Sequence, residues 1–249
     1  MKTISGIVIK QRSVGDNDKY IDILTQSEGV IELSVKGVKK INSKSGSSTQ
    51  LFAYSRFCIQ ERYGRNTLNS AEPIHIFYNL RDRLDKLSLA SYMADLIKYC
   101  ITEQSQSGEV MRLFLNTLHF IEKDLRSLEF LKSLFELRLM SEIGFMPDIV
   151  GCSECGCFEP AEMYLRINDS NFCCSECAGI DDSFKVKGTI SLLSAIRHIV
   201  LSDFEKLYNF KIAESTQEVL SYFSEQYTLS HLERNFNTLD FYKSIKQNI

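Results

Sequence analysis

Apolar and polar residues alternate along the first 78 residues of the chain, and this pattern predicts β-strands. Five short runs are rich in β-branched and aromatic residues, and turn-like segments such as VGDND and QSEG separate them. Five strands with a polar loop between the third and the fourth are typical of a small barrel such as the OB-fold, or of a small antiparallel sandwich. The predicted strands are residues 4–11, 19–25, 30–37, 51–63 and 67–77.

After these strands the apolar positions recur every three or four residues, which predicts helices. The first helix, at 80–101, is interrupted by the polar stretch 102–109, and a second helix covers 111–118. A third, at 127–147, is apolar around most of its circumference, so we expect it at the centre of a helical domain. Gly144 is expected to end it in a left-handed conformation.

Two further helices are predicted at 191–210 and 215–232. Ser215 and Glu218 have the spacing of a capping box at the start of the second of these helices. Between residue 150 and the first of them lies a segment that contains neither period and is rich in cysteine.

This segment contains CSEC twice, at 152–155 and 174–177, with 18 residues between the two pairs. Paired C-x₂-C motifs at this distance are typical of a zinc ribbon, because each short turn brings two thiolates to one tetrahedral ion. Cys157 and Cys173 do not fit the two-residue gap and are interpreted as spare thiols. Four thiolates leave no open position on the metal, so one structural zinc per chain is expected. The predicted ligands are Cys152, Cys155, Cys174 and Cys177.

The predicted fold class is therefore α+β. An N-terminal five-stranded OB-fold barrel is followed by an all-helical domain with an inserted four-cysteine zinc-binding loop. The predicted domains are 1–78 for the barrel, 79–150 and 180–249 for the two parts of the helical domain, and 151–179 for the zinc-binding insertion.

Charge is unevenly distributed along the chain. The net charge is −3 at pH 7, but residues 1–73 hold 11 basic and 7 acidic residues, while the remainder holds 18 and 25. Within 33–65 seven basic residues accompany a single acid, Glu61. This concentration indicates an anionic partner such as DNA, although a solvated strand surface would have the same composition. The predicted DNA-binding residues of this segment are Lys36, Lys39, Lys40, Lys44, Arg56, Arg62 and Arg65.

The fourth predicted strand adds an aromatic residue to this set. Its alternate positions from Leu51 to Ile59 are largely apolar and are expected in the core. The other face carries Phe52, Tyr54 and Arg56, and rings alternating with guanidinium groups suit the bases and phosphates of a single strand. Tyr54 is therefore a predicted DNA-binding residue. In the alternative interpretation, a neighbouring helix covers Phe52 and Tyr54.

The sequence contains no motif typical of catalysis, so no enzyme is predicted. Phosphate-binding glycine motifs, a G-x-S-x-G elbow and H-E-x-x-H are all absent, and the four histidines are scattered. The chain has no apolar core of a signal peptide and no run of about 18 apolar residues, so we expect a cytoplasmic protein without a membrane partner. Two other classes remain open: an RNA-binding OB-fold protein with a zinc ribbon, and a thiol enzyme that uses the spare cysteines.

Several longer segments together resemble the family of the bacterial recombination mediator RecO. They are GIVIKQRSVGDNDKYIDILTQSEGVIELSVKGVKK in the barrel, FELRLMSEIGFMPDIVGCSECG and CCSECAG around the cysteines, and YTLSHLERNFNTLDFY near the end. The resemblance spans nearly the whole chain. One departure is Gln50-Leu51-Phe52, where the family usually has Gln-Pro-Phe.

The resemblance implies a DNA repair protein of the RecF pathway, located in the cytoplasm with the nucleoid. Such a protein binds single-stranded and double-stranded DNA and anneals complementary strands. With RecR it helps to load RecA onto strands coated by single-stranded DNA-binding protein, and its helical domain contacts the acidic, apolar C-terminal tail of that coating protein. On its own it is expected to be a monomer.

A tail of this kind requires a local basic spot in the otherwise acidic helical domain. The helix at 127–143 offers two candidate partner-binding residues, Lys132 and Arg138. Arg138 is preferred because it lies among apolar residues, where its guanidinium could pair with a terminal carboxylate. The alternative is that Arg138 pairs with Glu142, four residues further on.

Overall fold

The computed structural model describes residues 1–37, 45–179 and 185–247. Backbone contacts divide the chain into two compact units, one made of Met1–Asp124 and Phe236–Ile249, the other of Leu125–Asn235. The first unit is therefore larger than the strand-rich segment alone, because it also includes helices from both ends of the chain.

Five strands form a closed barrel in the first unit, which confirms the predicted five-stranded architecture. The order around the barrel is β1-β2-β3-β5-β4, and only the β3–β5 pair is parallel. The strands are β1 Lys2–Val14, β2 Asp18–Thr25, β3 Val30–Val35, β4 Ala53–Arg62 and β5 Arg65–Ile76.

The barrel core follows the alternation of the sequence. Ala53, Ser55, Phe57 and Ile59 on β4 are fully buried, as predicted for that face. Ser55 is the polar member of this face, and its hydroxyl donates a hydrogen bond to the Ser48 carbonyl at 2.9 Å. The other main core residues are Val8, Ile21, Ile23, Ile31, Leu33 and Val35.

Three helices complete the first unit: α1 Leu84–Cys100, α2 Gly108–Glu122 and α6 Asn237–Lys246. The segment between α1 and α2 lies against the β2–β3 turn, where the Ser107 hydroxyl donates to the Thr25 carbonyl at 2.6 Å. Gly29 in that turn has a φ of +65°, and a Cβ there would lie 1.9 Å from the carbonyl oxygen of Thr102. This close approach of two backbones requires glycine.

The second unit contains α3 Leu128–Glu142, α4 Ile190–Leu201 and α5 Glu214–Leu232. Every residue from 130 to 140 is buried, so the predicted central position of this helix is confirmed. Gly144 follows α3 with a φ of +96°, and the Phe145 N–H returns to the Met140 carbonyl at 2.8 Å, which closes the helix as predicted. Among the described residues, no helix combines the length and apolar character needed to span a bilayer.

The second unit also contains an antiparallel sheet that the pattern did not predict. Its strands are β6 Glu162–Arg166, β7 Asn171–Cys174 and β8 Lys185–Thr189, in the order β7-β6-β8. Met163 and Leu165 alternate inward from β6 and are buried. Such short strands contain too few alternating positions to stand out from a loop in the sequence.

Two predicted helix boundaries are wrong. The predicted helix at 191–210 ends at Leu201, because Ser202 is extended (φ −73°, ψ 149°) and its carbonyl accepts a hydrogen bond from Arg138 at 2.7 Å. The predicted capping box at Ser215 does not form. Helix α5 begins one residue earlier, at Glu214, with Ala213 as its N-cap, so Ser215 already lies within the first turn.

Candidate metal centre and nucleic-acid interface

The structure brings the four predicted ligand sulfurs together. The Sγ atoms of Cys152, Cys155, Cys174 and Cys177 all lie within 4.8 Å of one another, and Cys155 Sγ is 3.7 Å from Cys174 Sγ. A tetrahedral ion with sulfur bonds of about 2.3 Å needs sulfur–sulfur distances of about 3.8 Å. The donor set and its spacing therefore fit a four-coordinate metal ion that prefers thiolates.

Two tight turns present the sulfurs. In the first, Gly156 adopts a φ of +72° and its N–H donates to the Cys152 carbonyl at 2.8 Å. In the second, at the end of β7, the Cys177 N–H donates to the Cys174 carbonyl at 3.1 Å. The Cys174 N–H donates to Cys152 Sγ at 3.3 Å and so links the two turns.

The electrostatic surroundings favour a thiolate at Cys152. Burial by itself would raise the pKa of this thiol, but backbone N–H groups of Cys155, Cys174 and Glu154 outweigh it and lower the pKa to about 6. Hydrogen bonds with Cys174 and Cys155 raise the pKa of Cys177, because its proton is held between neighbouring sulfurs. A metal ion binds the deprotonated forms and replaces such protons.

The two spare cysteines take no part in this sulfur cluster. Cys173 is fully buried in β7 next to Cys174, and successive side chains of a strand point to opposite faces. Cys157 is exposed, and its carbonyl accepts a hydrogen bond from the Cys152 N–H at 2.9 Å. Its backbone thus supports the first turn, whatever its side chain does.

The predicted DNA-binding residues that the structure describes lie on the barrel. Lys36, Arg56 and Arg65 are exposed, and Tyr54 is half-buried. Arg56 lies 4.0 Å from Glu72 in a pair that is exposed on both sides, so this carboxylate neutralises it only weakly. The backbone of Arg62 pairs with that of Arg65 at the end of the β4–β5 hairpin. Outside the described residues lie Lys39, Lys40 and Lys44, together with the side chain of Arg62.

Phe52 does not face outward, so the predicted outer face of the fourth strand needs a correction. Its φ is +61°, its side chain is 1% exposed, and its ring packs edge-on against Phe114 of α2 at 6.2 Å between centroids. β4 begins only at Ala53, so Phe52 is not part of the alternation. The alternative interpretation, in which a helix covers the ring, is correct for Phe52.

The two candidate partner-binding residues are both engaged inside the second unit. The Lys132 side chain is 3% exposed, and its Nζ lies 2.9 Å from Glu136 and 3.0 Å from Glu225. The Arg138 guanidinium binds Glu142 at 2.7 Å, donates to the carbonyl oxygens of residues 199 and 202, and stacks over Phe204. These contacts favour the structural alternative that pairs Arg138 with Glu142.

The family follows from comparison with known proteins. The family model described as Recombination protein O N terminal matches residues 1–77, and the model described as Recombination protein O C terminal matches residues 81–240. The chain belongs to the RecO family. The resemblance seen in the sequence motifs is thereby confirmed, and the two matches meet where the barrel ends.

Full-length relatives agree with this assignment, and each carries the name DNA repair protein RecO. The relative from Acetivibrio thermocellus is 33% identical, with 97% of this chain and 96% of its own length aligned. That from Alkaliphilus metalliredigens is 31% identical, over 96% and 98% of the two chains. That from Bacillus pumilus is 25% identical, over 92% and 90%. This RecO family chain is accordingly a DNA repair protein.

The structure of this RecO family member also presents an aromatic–basic pair that the sequence pattern did not single out. The exposed end of β1 places Arg12 opposite Tyr20 of β2, with the guanidinium 5.6 Å from the ring centroid. Arg12 also forms an ion pair with Glu32. The pair could have been found only from the register of the hairpin, because eight positions separate the two residues in the sequence.

Proposed function

We propose that this chain is a DNA-binding recombination mediator. It binds single-stranded and double-stranded DNA, anneals complementary strands, and helps to load RecA onto strands coated by single-stranded DNA-binding protein. Membership of the RecO family supports this proposal, and so does a closed five-stranded barrel of the kind that binds oligonucleotides.

The observation that carries the proposal is the position of the exposed basic residues. Lys36, Arg56 and Arg65 all belong to the barrel, within the segment 33–65 that holds seven basic residues and one acid. A local positive surface on a chain of net charge −3 attracts a polyanion to one region only. Phosphate contacts then supply affinity without reading sequence, as strand annealing requires.

The protein works with partners in this proposal and needs no chemical step of its own. RecR acts with it on DNA, and its helical part contacts the C-terminal tail of single-stranded DNA-binding protein. It is a monomer on its own and acts in the cytoplasm with the nucleoid. The tail site is not assigned to Lys132, because its ammonium group is buried between two carboxylates.

The metal is proposed to be zinc, one ion per chain. Four thiolates at tetrahedral spacing are the donor set that structural zinc prefers. When bound, zinc supplies cross-links between the two turns and no reactive position. Because the two turns have little apolar core of their own, the cluster stabilises this part of the second unit.

A titration of fluorescently labelled single-stranded DNA at several salt concentrations tests the function. We expect the logarithm of the binding constant to fall linearly with the logarithm of salt concentration, by about 0.7 for each phosphate contacted. Mixing complementary strands should show faster annealing with the protein than without it. A chain that prefers structured RNA, or binds no DNA at low salt, would contradict the proposal.

A further inference from the structure

The β4–β5 hairpin ends in a two-residue turn made of Tyr63 and Gly64. Arg62 and Arg65 flank this turn and form the last pair of the ladder. Both turn residues have positive φ, +53° at Tyr63 and +70° at Gly64. Positive φ at both central positions marks a type I′ turn, which favours Asn-Gly and disfavours a bulky aromatic residue. The chain thus carries a tyrosine where local stability favours asparagine.

Tyr63 also contributes nothing to the core. Its relative exposure is 102%, the largest value among the exposed large apolar side chains of the described residues. A residue that strains the backbone and buries no surface does not stabilise the fold. Local conflicts of this kind are expected where a residue serves function instead of stability.

The charge at the turn indicates the class of ligand. Arg65 is exposed, and Arg62 lies opposite it in the backbone register, so two positive residues form a like-charged cross-strand pair. Such a pair is unfavourable by itself, and a polyanion relieves it. Glu61 is the acidic neighbour on β4, and its register partner is the neutral Asn66. A ring between arginines offers stacking for a base and pairing for adjacent phosphates.

We propose that Tyr63 stacks on a DNA base that is already unstacked, along a single strand or at the junction where pairing ends. This inference rests on the proposed DNA-binding function and adds a base contact to it. A ring on a narrow turn reaches an exposed base from outside, whereas opening an intact duplex costs more than one stacked ring returns. Tyr63 therefore directs the barrel to unpaired bases, and Arg65 pairs with a neighbouring phosphate.

Four variants of the full chain separate stacking from folding. Tyr63→Ala and Tyr63→Asn remove the ring, Tyr63→Phe retains it, and Tyr222→Ala removes an exposed tyrosine of the second unit as a control. Affinity is measured on single-stranded DNA and on a covalently closed circular duplex. Loss of the ring should weaken single-strand binding about 5- to 150-fold, which corresponds to about 1–3 kcal/mol. Tyr63→Phe and Tyr222→Ala should bind as the wild type does.

Three readouts keep the outcomes distinct. Binding to the closed duplex should change little in the Tyr63 variants, and the salt dependence should stay the same, whereas Arg65→Ala should make the slope shallower by about 0.7. A 2-aminopurine base at a single-strand junction should be quenched by the wild type and by Tyr63→Phe alone. Tyr63→Asn should raise the midpoint of thermal unfolding, because asparagine tolerates positive φ, so weaker binding cannot reflect unfolding.

The proposed function and the stacking contact fail in different ways. If the wild type binds single strands and Tyr63→Ala and Tyr63→Asn bind them equally well, the stacking contact is overturned and the proposed function stands. If these variants lose affinity equally on the closed duplex, selection of unpaired bases is overturned. If the wild type binds no DNA, both proposals are overturned.

Discussion

The guanidinium of Arg197 lies 3.9 Å from the ring centroid of Phe158, and the two residues hold the first cysteine turn from outside. Arg197 extends from α4 and donates hydrogen bonds to the carbonyl oxygens of residues 149, 150 and 158, at 2.7, 2.9 and 2.8 Å. These three carbonyls bracket Cys152 and Cys155 in the chain. One side chain of a helix therefore fixes both ends of the loop that presents two sulfurs.

Replacing Arg197 should loosen the metal centre. We expect Arg197→Ala to release zinc to a chelator faster than the wild type, because the first turn loses three hydrogen bonds and a stacked ring. Arg197→Lys should release it at an intermediate rate, since an ammonium cannot match the planar fork of a guanidinium. Zinc release followed with a metal-sensitive dye measures the effect, and exposed Lys211→Ala is the control. Equal release rates in all four proteins would remove Arg197 from this role.

The four clustered cysteines should be necessary for metal binding, and the two spare cysteines should not. Elemental analysis of protein purified without added metal should find about one zinc per chain, as a four-thiolate site holds one ion. Cys152→Ser and Cys177→Ser should abolish it, because an alcohol is a poor zinc ligand. Cys157→Ser should retain it. Metal-free wild-type protein of undiminished stability would contradict this prediction.

Lys132 and the two carboxylates around it should be critical for the stability of the second unit. Lys132→Met should cost about 3–5 kcal/mol, because Glu136 and Glu225 would be left facing each other without a positive charge. A urea titration followed by circular dichroism measures the loss. Exposed Lys123→Met is the matched control and should change stability little. A cost as small as that of a surface pair, about 1 kcal/mol or less, would show that the carboxylates find another partner.

The same cluster predicts a dependence on alkaline pH. Burial by itself would lower the pKa of Lys132, but Glu136 and Glu225 outweigh burial and raise it. A raised lysine pKa contributes stability that is complete below the unfolded value of about 10.4 and is lost as the pH rises through the folded value. Wild-type stability should therefore fall above about pH 10.4 more steeply than that of Lys132→Met. Parallel curves for the two proteins would rule out this linkage.

Lysines of the basic segment should act on DNA through phosphates. Joint replacement of Lys36, Lys39, Lys40 and Lys44 by glutamine should weaken single-strand binding with little dependence on sequence. The salt slope should become shallower by about 0.7 for each phosphate that the variant no longer binds. Glutamine at Lys206 and Lys211, which are exposed in the second unit, controls for net charge. Unchanged affinity of the fourfold variant would locate the DNA elsewhere.

Arg138 should matter for stability and not for recognition of the partner tail. Its guanidinium already binds Glu142 and two backbone carbonyls, so Arg138→Ala should lower the urea midpoint. Anisotropy of a labelled acidic, apolar peptide should show equal affinity for the wild type and for the folded fraction of the variant. Loss of peptide binding by a fully folded variant would return Arg138 to the tail site.

The amino-acid sequence alone was sufficient for the elements whose signal is local. Alternation in the first 78 residues predicted five strands, and each observed strand overlaps its predicted range. The continuous apolar circumference of the third helix predicted its central position, because only a helix surrounded by others can bury every face. The cysteine pairs were equally readable, since a two-residue gap constrains both sulfurs before any other part of the chain folds.

Packing in three dimensions was needed wherever neighbouring elements compete for a residue. Phe52 reads as an outward residue of the fourth strand, but its backbone turns to positive φ and α2 buries its ring. Helix α4 ends at Leu201, where the Ser202 carbonyl finds Arg138 from α3. Lys132 and Arg138 look like surface charges because their partners, Glu225 and two carbonyls at the end of α4, lie more than 60 positions away. Burial and pairing at such separations arise from packing, which a local period does not encode.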